Sequence, residues 1–387
     1  MSAAVLPTGV PQQRSARALP ARRHICFVAP YAWPVLARDA SHGIVGGAEV
    51  QQCILMRLLA RQGWEVSLVS LDFGQGEAEV DGIRVLPTYR PEAGIPALRF
   101  LHPRLTSVWR ALHRACADVY YLRSASMMAG VVDAFCRRTG RRSIYAAASD
   151  DDFAPKMRQI RFARDRWLYR RGLSRVDRVI VQNERQMRAY QSRYGRTAVL
   201  IPSAYELPPG AQPGGGNCVL WVGRMDEGKR PELAVEVARR LPHRRFVIVG
   251  GEAHGDAGRS RAYERARKAA EGLGNVQFTG FLSLAQVEQR FDQARVLLNT
   301  SVYEGMPNTF LQAWARGVPT VATVDVGTGT YPVCADADSL ANAIEALYEK
   351  PQHWEAVSRR CREHFAQHHS APAVTARYLR VLEELLP

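Results

Sequence analysis

The chain has 387 residues, 47% of them hydrophobic, and a formal net charge of +15. That length exceeds one ordinary core and fits two α/β domains of about 150–200 residues each, and no apolar run reaches the ~18 residues of a membrane-spanning helix. Seven cysteines are scattered without a CxxC pair, which argues against a zinc site or disulfide framework and for reduced thiols in a cytoplasmic protein.

Residues 1–22 lack an apolar h-region and read as a disordered basic tail, not a signal peptide. HICFVAP (24–30) opens a first series as a buried parallel strand. A Gly-rich stretch follows, then a helical pattern through Ile54, Leu55, Leu58 and Leu59 that stops near Gly63. Strand-like runs come at 65–71, 83–88, 118–122, 143–148 and 178–183, with helical patterns at 97–116, 125–138, 156–173 and 184–194. This is the rhythm of a parallel sheet covered on both faces.

At 206–217 the sequence ELPPGAQPGGGN supports no regular element and reads as a linker between a first domain (23–205) and a second (218–372). The second series has strands at 218–223, 245–251, 276–281, 295–301 and 319–324, and a strand-like YPVC at 331–334. Its helices are expected at 231–241, 259–272, 283–293, 302–316, 337–349 and 353–367, and a last one within 373–387 crosses back to the first domain. Two such domains form an α/β protein of two Rossmann-like doubly wound sheets, facing across a cleft at the carboxyl ends of their strands.

Charge is uneven. Residues 1–206 carry 31 Lys/Arg against 17 Asp/Glu, and the remainder 21 against 20. Nine of the cations fall in 156–178, beside Met157, Ile160, Phe162, Trp167 and Leu168. The segment suits either an anionic membrane surface or a covered helix with a solvated arginine face. No helix-turn-helix, zinc finger or aromatic RNA-binding pattern accompanies it, so no nucleic-acid partner is expected.

Three segments at strand ends carry the chemistry. In GIVGGAEVQQ (43–52), Gly46 and Gly47 precede a helix, where bare backbone admits a phosphate or simply makes a tight turn. In WVGRMDEGKRPE (221–232), Arg224 and Lys229 bracket a turn after Gly223, spaced to clasp a diphosphate. In SVYEGMPNTFLQAWARGVPTVA (301–322), Glu304 leads through Gly305 and Met306 to Pro307, which suits the first helical position. The amides of Asn308, Thr309 and Phe310 are then unpaired and face an anion, and Gln312 lies one turn on, within reach of a ribose. Asp150, Asp151 and Asp152 form an acidic run, acceptor-facing or capping a helix over 153–173.

These segments resemble the donor-site signatures of family 4 retaining glycosyltransferases with the GT-B fold, over residue 24 to the end and most closely over 218–322. The resemblance implies a nucleotide-diphosphate-sugar donor bound mainly by the second domain, a glycan or lipid-linked acceptor, and no essential metal or other cofactor. Arg224 and Lys229 would stabilise the leaving diphosphate, Glu304 would bind the sugar hydroxyls, and Gly46 and Gly47 would contact phosphate or acceptor. Three features depart from the pattern: Gln312 stands where a second Glu is usual, Arg123 (with Tyr120 and Tyr121) stands where many members have a His, and VDVGTGTYPVC (324–334) is a shortened turn. Another GT-B activity, such as an epimerase or phosphorylase, and a non-catalytic nucleotide-sugar-binding scaffold stay open on the sequence.

Overall fold

A computed structural model describes residues 23–39, 46–95, 100–154, 157, 160–251 and 257–386. The expected N-terminal tail and parts of the segments 43–52 and 156–178 lie outside the described residues. One sheet comprises β1 (His24–Val28), β2 (Glu65–Ser70), β3 (Ala78–Val80), β4 (Ile83–Pro87), β5 (Val119–Arg123), β6 (Arg142–Ala146), β7 (Arg178–Val181) and β8 (Val199–Leu200). Their order is β3-β4-β2-β1-β5-β6-β7-β8, parallel except for β3 against β4. The second sheet comprises β9 (Cys218–Val222), β10 (Arg245–Val249), β11 (Val276–Phe278), β12 (Ala294–Asn299) and β13 (Thr320–Ala322), all parallel, in the order β11-β10-β9-β12-β13.

The continuous apolar runs explain this arrangement, because a strand covered on both faces needs no polar alternation. In β1, Cys26 and Val28 join one core while Ile25 and Phe27 join the core on the opposite face. A separate core surrounds the second sheet. Chain order reverses between β1 and β5 and between β9 and β12, so each sheet opens a crevice at its carboxyl edge. The last helix, Ala371–Leu385, places Val374, Tyr378, Val381 and Leu382 in the core of the first sheet. At this crossing the Tyr205 amide donates to the His369 carbonyl at 3.0 Å, and His369 Nδ1–H donates to the Ser203 carbonyl at 2.8 Å. Burial pushes the His369 pKa down to about 3, so the ring is neutral.

Several elements differ from the sequence expectation. The edge strands β3 and β8 are additional; with three and two residues they are too short to show a period. Pro103 lies in a π-helical turn, Phe100–Leu105, and the regular helix starts at Thr106. The helix expected over 156–173 starts at Ala163, and Met157 and Ile160 are buried in the core instead of lining a surface helix. The YPVC segment contributes one bridge, Val333 to Ala322. The acidic run does not cap a helix over 153–173: Asp150–Phe153 is itself a 3-10 turn, capped by Ser149.

Asp152 in that turn is fully buried. It accepts from Tyr145 Oη–H at 2.9 Å and from the Ala148 amide at 2.7 Å. Burial nevertheless pushes its pKa up to about 6, against an ordinary value of 3.8. The folded protein therefore binds more protons than the unfolded chain between these values, and this contribution to stability is lost as pH rises through 6. Relative to Asp152→Asn, the wild type is expected to lose about 1 kcal/mol between pH 5 and pH 7.5. Urea melts at the two pH values check this, and parallel shifts in both proteins would refute it.

Candidate active site

The residue after β9 is Gly223, and the chain then turns through Arg224 to Lys229 before the helix Pro231–Arg240. Asp226 shapes the turn: its carboxylate accepts the Lys229 amide at 3.1 Å and pairs with Arg224 Nε at 3.3 Å. The Arg224 side chain is 60% exposed, so its fork is available to a ligand. Arg230 takes a left-handed conformation (φ 48°) immediately before Pro231, consistent with the bias of a pre-proline residue away from the helical region. Its guanidinium then reaches the ends of two neighbouring strands, donating to the Thr300 carbonyl at 2.7 Å and to Thr323 Oγ1 at 2.9 Å. Trp221 Nε1–H donates to Thr300 Oγ1 at 2.9 Å, which fastens β9 to the end of β12.

The second half of the site follows β12. The Val302 amide donates to the Gly228 carbonyl at 2.8 Å, laying the loop 301–307 across the turn of Lys229. Glu304 accepts from Ser301 Oγ–H at 2.7 Å and pairs directly with Lys229 Nζ. Side-chain exposures of 23% for Lys229 and 13% for Glu304 leave both partly shielded, which strengthens their interaction. Pro307 is the N-cap of the helix Asn308–Ala315, one residue before the first-turn position its ring suggested. The Phe310 amide donates to the Pro307 carbonyl at 3.1 Å, so it is not among the free amides. Those of Asn308 and Thr309 precede the first possible intrahelical acceptor. The Phe310 ring is core, packed on Trp314 and Tyr331, and Met306 packs against the same core.

The two sheets meet at this point. Asn308 Nδ2 lies 3.3 Å from the Gly47 carbonyl, and Gln51 Nε2 donates both to Asn308 Oδ1 at 2.9 Å and to the Ala204 carbonyl at 2.8 Å. Gly46 caps the helix Gly47–Arg61, and the Glu49 side chain folds back over it. Gly305 faces the first domain so closely that an added Cβ would lie 3.4 Å from the Ala148 carbonyl and 3.5 Å from Gln186 Nε2. Behind that contact, Asp150 accepts from Gln186 Nε2 at 3.0 Å and Asn183 Nδ2 at 3.2 Å, while the half-buried Asp151 has its amide engaged by Ser149 Oγ.

Lys229 and Glu304 are thus in contact with Arg224 on the same turn, and the loop and helix start that follow Glu304 face Gly47 and Ala148 of the first domain. Two other residues singled out in the sequence point elsewhere. Gln312 is buried and donates Nε2–H to Glu288 Oε1 at 2.8 Å. Arg123, at the end of β5, donates to Ser203 Oγ at 3.2 Å. The shortened turn is closed by Tyr331, whose hydroxyl donates to the Val324 carbonyl at 2.8 Å and accepts the Val326 amide at 3.0 Å. Sequence reasoning passed over Arg230, Thr300 and Gln51; only the pairing of Arg230 with Pro231 offered a local signal.

A glycosyl transferase 4-like domain matches residues 46–204 and a glycosyl transferases group 1 domain matches residues 216–350, together about three quarters of the chain. The chain belongs to the family 4 glycosyltransferases. D-inositol 3-phosphate glycosyltransferase of Mycolicibacterium paratuberculosis is 30% identical over 184 residues, 43% of this chain and 41% of that protein. The match to the protein of that name from Mycobacterium avium is 29% identical; the chain spans about two fifths of the length of these curated relatives. Sucrose-phosphate synthase from Thermosynechococcus elongatus is similar over 94% of this chain and 99% of its own, with a TM-score of 0.74 and 19% identity. HepE of Anabaena, solved with UDP and glucose, is similar over 93% and 99%, with a TM-score of 0.69 and 16% identity. At these identities the structural likeness is one of fold, and that fold is GT-B.

Proposed function

We propose that this family 4 glycosyltransferase moves a hexosyl group from a nucleoside diphosphate sugar to a hydroxyl of a glycan or lipid-linked acceptor, with retention of configuration and without an essential metal. The observation that carries the reading is the Lys229–Glu304 pair at adjacent strand ends, with Arg224 on the same turn and helix-terminal amides beside it. The anomeric C–O bond to the diphosphate breaks, and the acceptor oxygen bonds to the same face. Its proton passes to the departing phosphate oxygen. Arg224, Lys229 and the amides of Asn308 and Thr309 stabilise the charge that develops on the diphosphate. Glu304 accepts from the sugar hydroxyls, while Gly46 and Gly47 border the phosphate or acceptor and Asp150 and Asp151 lie on the acceptor side. HepE was solved with UDP and glucose, which supports a UDP-sugar as the first donor to test. Proton NMR of the product with EDTA present tests the reading, with the donor anomer expected to be kept and turnover unchanged by the chelator. An inverted product or loss of turnover overturns the corresponding part.

The setting we propose is cell-envelope polysaccharide or glycoconjugate synthesis in the cytoplasm, at the inner face of an anionic membrane. Among the described residues no helix is long and apolar enough to cross a membrane. Leu101, Phe162 and Trp167 are exposed, with Arg161 over Phe162, Arg171 over Trp167 and Arg164 over Phe100. Aromatic rings interleaved with arginines suit an anionic lipid surface. The protein is expected to sediment with phosphatidylglycerol vesicles at low salt and to be released at high salt, and the double variant Phe162→Ala/Trp167→Ala to stay in solution. Equal binding to neutral vesicles, or none to either, would contradict this.

A further inference from the structure

We propose that the amino edge of the second sheet carries a second anion site, which takes a small phosphate-bearing molecule and is separate from the cleft described above. Its rim is formed where the chain enters three neighbouring strands. Asn217 precedes β9, Arg244 precedes β10, Arg245 is the first residue of β10, and Arg295 is the second residue of β12. Cys218 pairs with Arg245 on one side and with Ala294 on the other, so β9 lies between the two arginine-bearing strands. Arg244, Arg245 and Arg295 border one open cavity of about 450 Å³, together with Asn217, His243 and Tyr348. A second cavity of about 360 Å³ shares His243, Arg244 and Arg245 with it. Among the described residues that line the two, none is acidic.

Aromatic rings hold these guanidinium groups. Arg244 Cζ lies 4.3 Å and Arg295 Cζ 5.2 Å from the centre of the Tyr348 ring, and Arg295 Cζ lies 5.1 Å from that of Trp354. Stacking fixes an arginine without consuming its N–H donors. The rings are themselves tied down, since Trp354 Nε1–H donates to the Arg295 carbonyl at 2.9 Å and the Tyr348 hydroxyl to the Asn217 carbonyl at 3.2 Å. Glu345 offsets Arg244, on which it occupies the Nε and Nη2 donors, and it also lies 3.2 Å from His243 Nε2. Arg245 and Arg295 have no carboxylate partner among the described residues. Arg245 donates to Gln277 Oε1 at 2.8 Å, and Arg295 to the Leu347 carbonyl at 3.2 Å. Two cationic forks without a counter-charge thus converge on one concavity, which suits the oxygens of a phosphate. The volume falls within the roughly 300–1,000 Å³ of small-molecule sites. Strands of five residues at about 3.3 Å each put the site roughly 16 Å from the turn that holds Arg224, so it is no extension of the cleft.

Isothermal titration of inorganic pyrophosphate and of glycerol 3-phosphate into the full chain carrying Lys229→Ala tests this, because that substitution removes the cation proposed for the cleft. At least one of the two anions is expected to bind with one-to-one stoichiometry, and the stronger binder tells a diphosphate from a phosphomonoester. Adding Asn217→Asp keeps the shape of the exposed rim and brings a negative charge to it, which is expected to weaken that anion about tenfold. Arg245→Gln/Arg295→Gln is expected to weaken it tenfold or more. Affinity unchanged by Asn217→Asp overturns the site, even if the arginine variant fails to fold. So does the absence of binding by either anion in Lys229→Ala, whether or not the wild type binds them.

Discussion

Lys229→Ala is expected to lower kcat/KM for sugar transfer by about 10²–10³-fold, the cost of removing one preorganised charge from a developing anion. Lys229 is held in place by its surroundings. Its amide is fixed by Asp226, Thr300 Oγ1 lies 2.7 Å from its carbonyl, and its ammonium is paired with Glu304. On the proposed function, a diphosphate entering beside Arg224 would compete with Glu304 for that ammonium, and Glu304 would be released toward the sugar. The pair would therefore couple donor binding to sugar recognition. Glu304→Gln keeps the shape and loses the charge, so it is expected to harm turnover more than nucleotide binding, whereas Lys229→Ala harms both. Because the two side chains contact each other, the double variant is expected to lose less than the sum of the single losses in activation free energy. Steady-state kinetics together with UDP-dependent thermal shifts measure the four corners of this cycle. Strict additivity would show that the pair does not act as a unit, and full turnover in Lys229→Ala would remove this residue from the mechanism.

The sequence made legible what depends on local pattern. Uninterrupted apolar runs such as those of β1 and β9 stand out because both faces are covered, and the polar linker before β9 is unambiguous in composition. The misplaced start of the helix Ala163–Leu173 has a physical cause. Met157 and Ile160 carry helix-like spacing, yet they are apolar because both side chains are buried in the core ahead of the helix. The capping reading of the acidic run failed for a related reason. Three adjacent aspartates look like one solvated cluster, but Asp152 turns inward to Tyr145 while Asp150 turns toward Gln186. Arg224, Lys229 and Glu304 could be singled out as candidates because their loops follow strong strands. Arg230, Gln51 and Glu288 were not, since their partners lie 70, 257 and 24 residues away in sequence and only the folded arrangement brings them together.

The largest stability effect is expected at Arg316, one helical turn beyond Gln312. Its side chain is buried, pairs with Asp292 at 2.7 Å and Glu288 at 2.9 Å, and donates to Tyr205 Oη at 3.1 Å and the Gln312 carbonyl at 3.1 Å. Burial alone opposes the charged guanidinium, but Asp292, Tyr205 and Glu288 together raise its pKa further above an already high value. Arg316→Ala strands Glu288 and Asp292 without their cation, and breaking a buried ion pair by removing one partner costs about 3–5 kcal/mol. For a domain of this size that is roughly a 10 °C fall in Tm. Adding Glu288→Gln and Asp292→Asn to Arg316→Met removes the stranded charges and is expected to recover most of the loss. The cluster also joins the helix behind Glu304 to Tyr205, on the segment that joins the two sheets, through Tyr205 Oη–H donating to Glu288 at 2.6 Å. The rescued triple variant is thus expected to be stable yet weaker in nucleotide affinity, because the ionic links at the end of the helix Asn308–Ala315 are then gone and its start alone is tied to the crossing, through the Gln51 bridge from Asn308 to Ala204. Calorimetry paired with UDP titration separates the two effects, and a triple variant with wild-type affinity would show that the cluster serves stability alone.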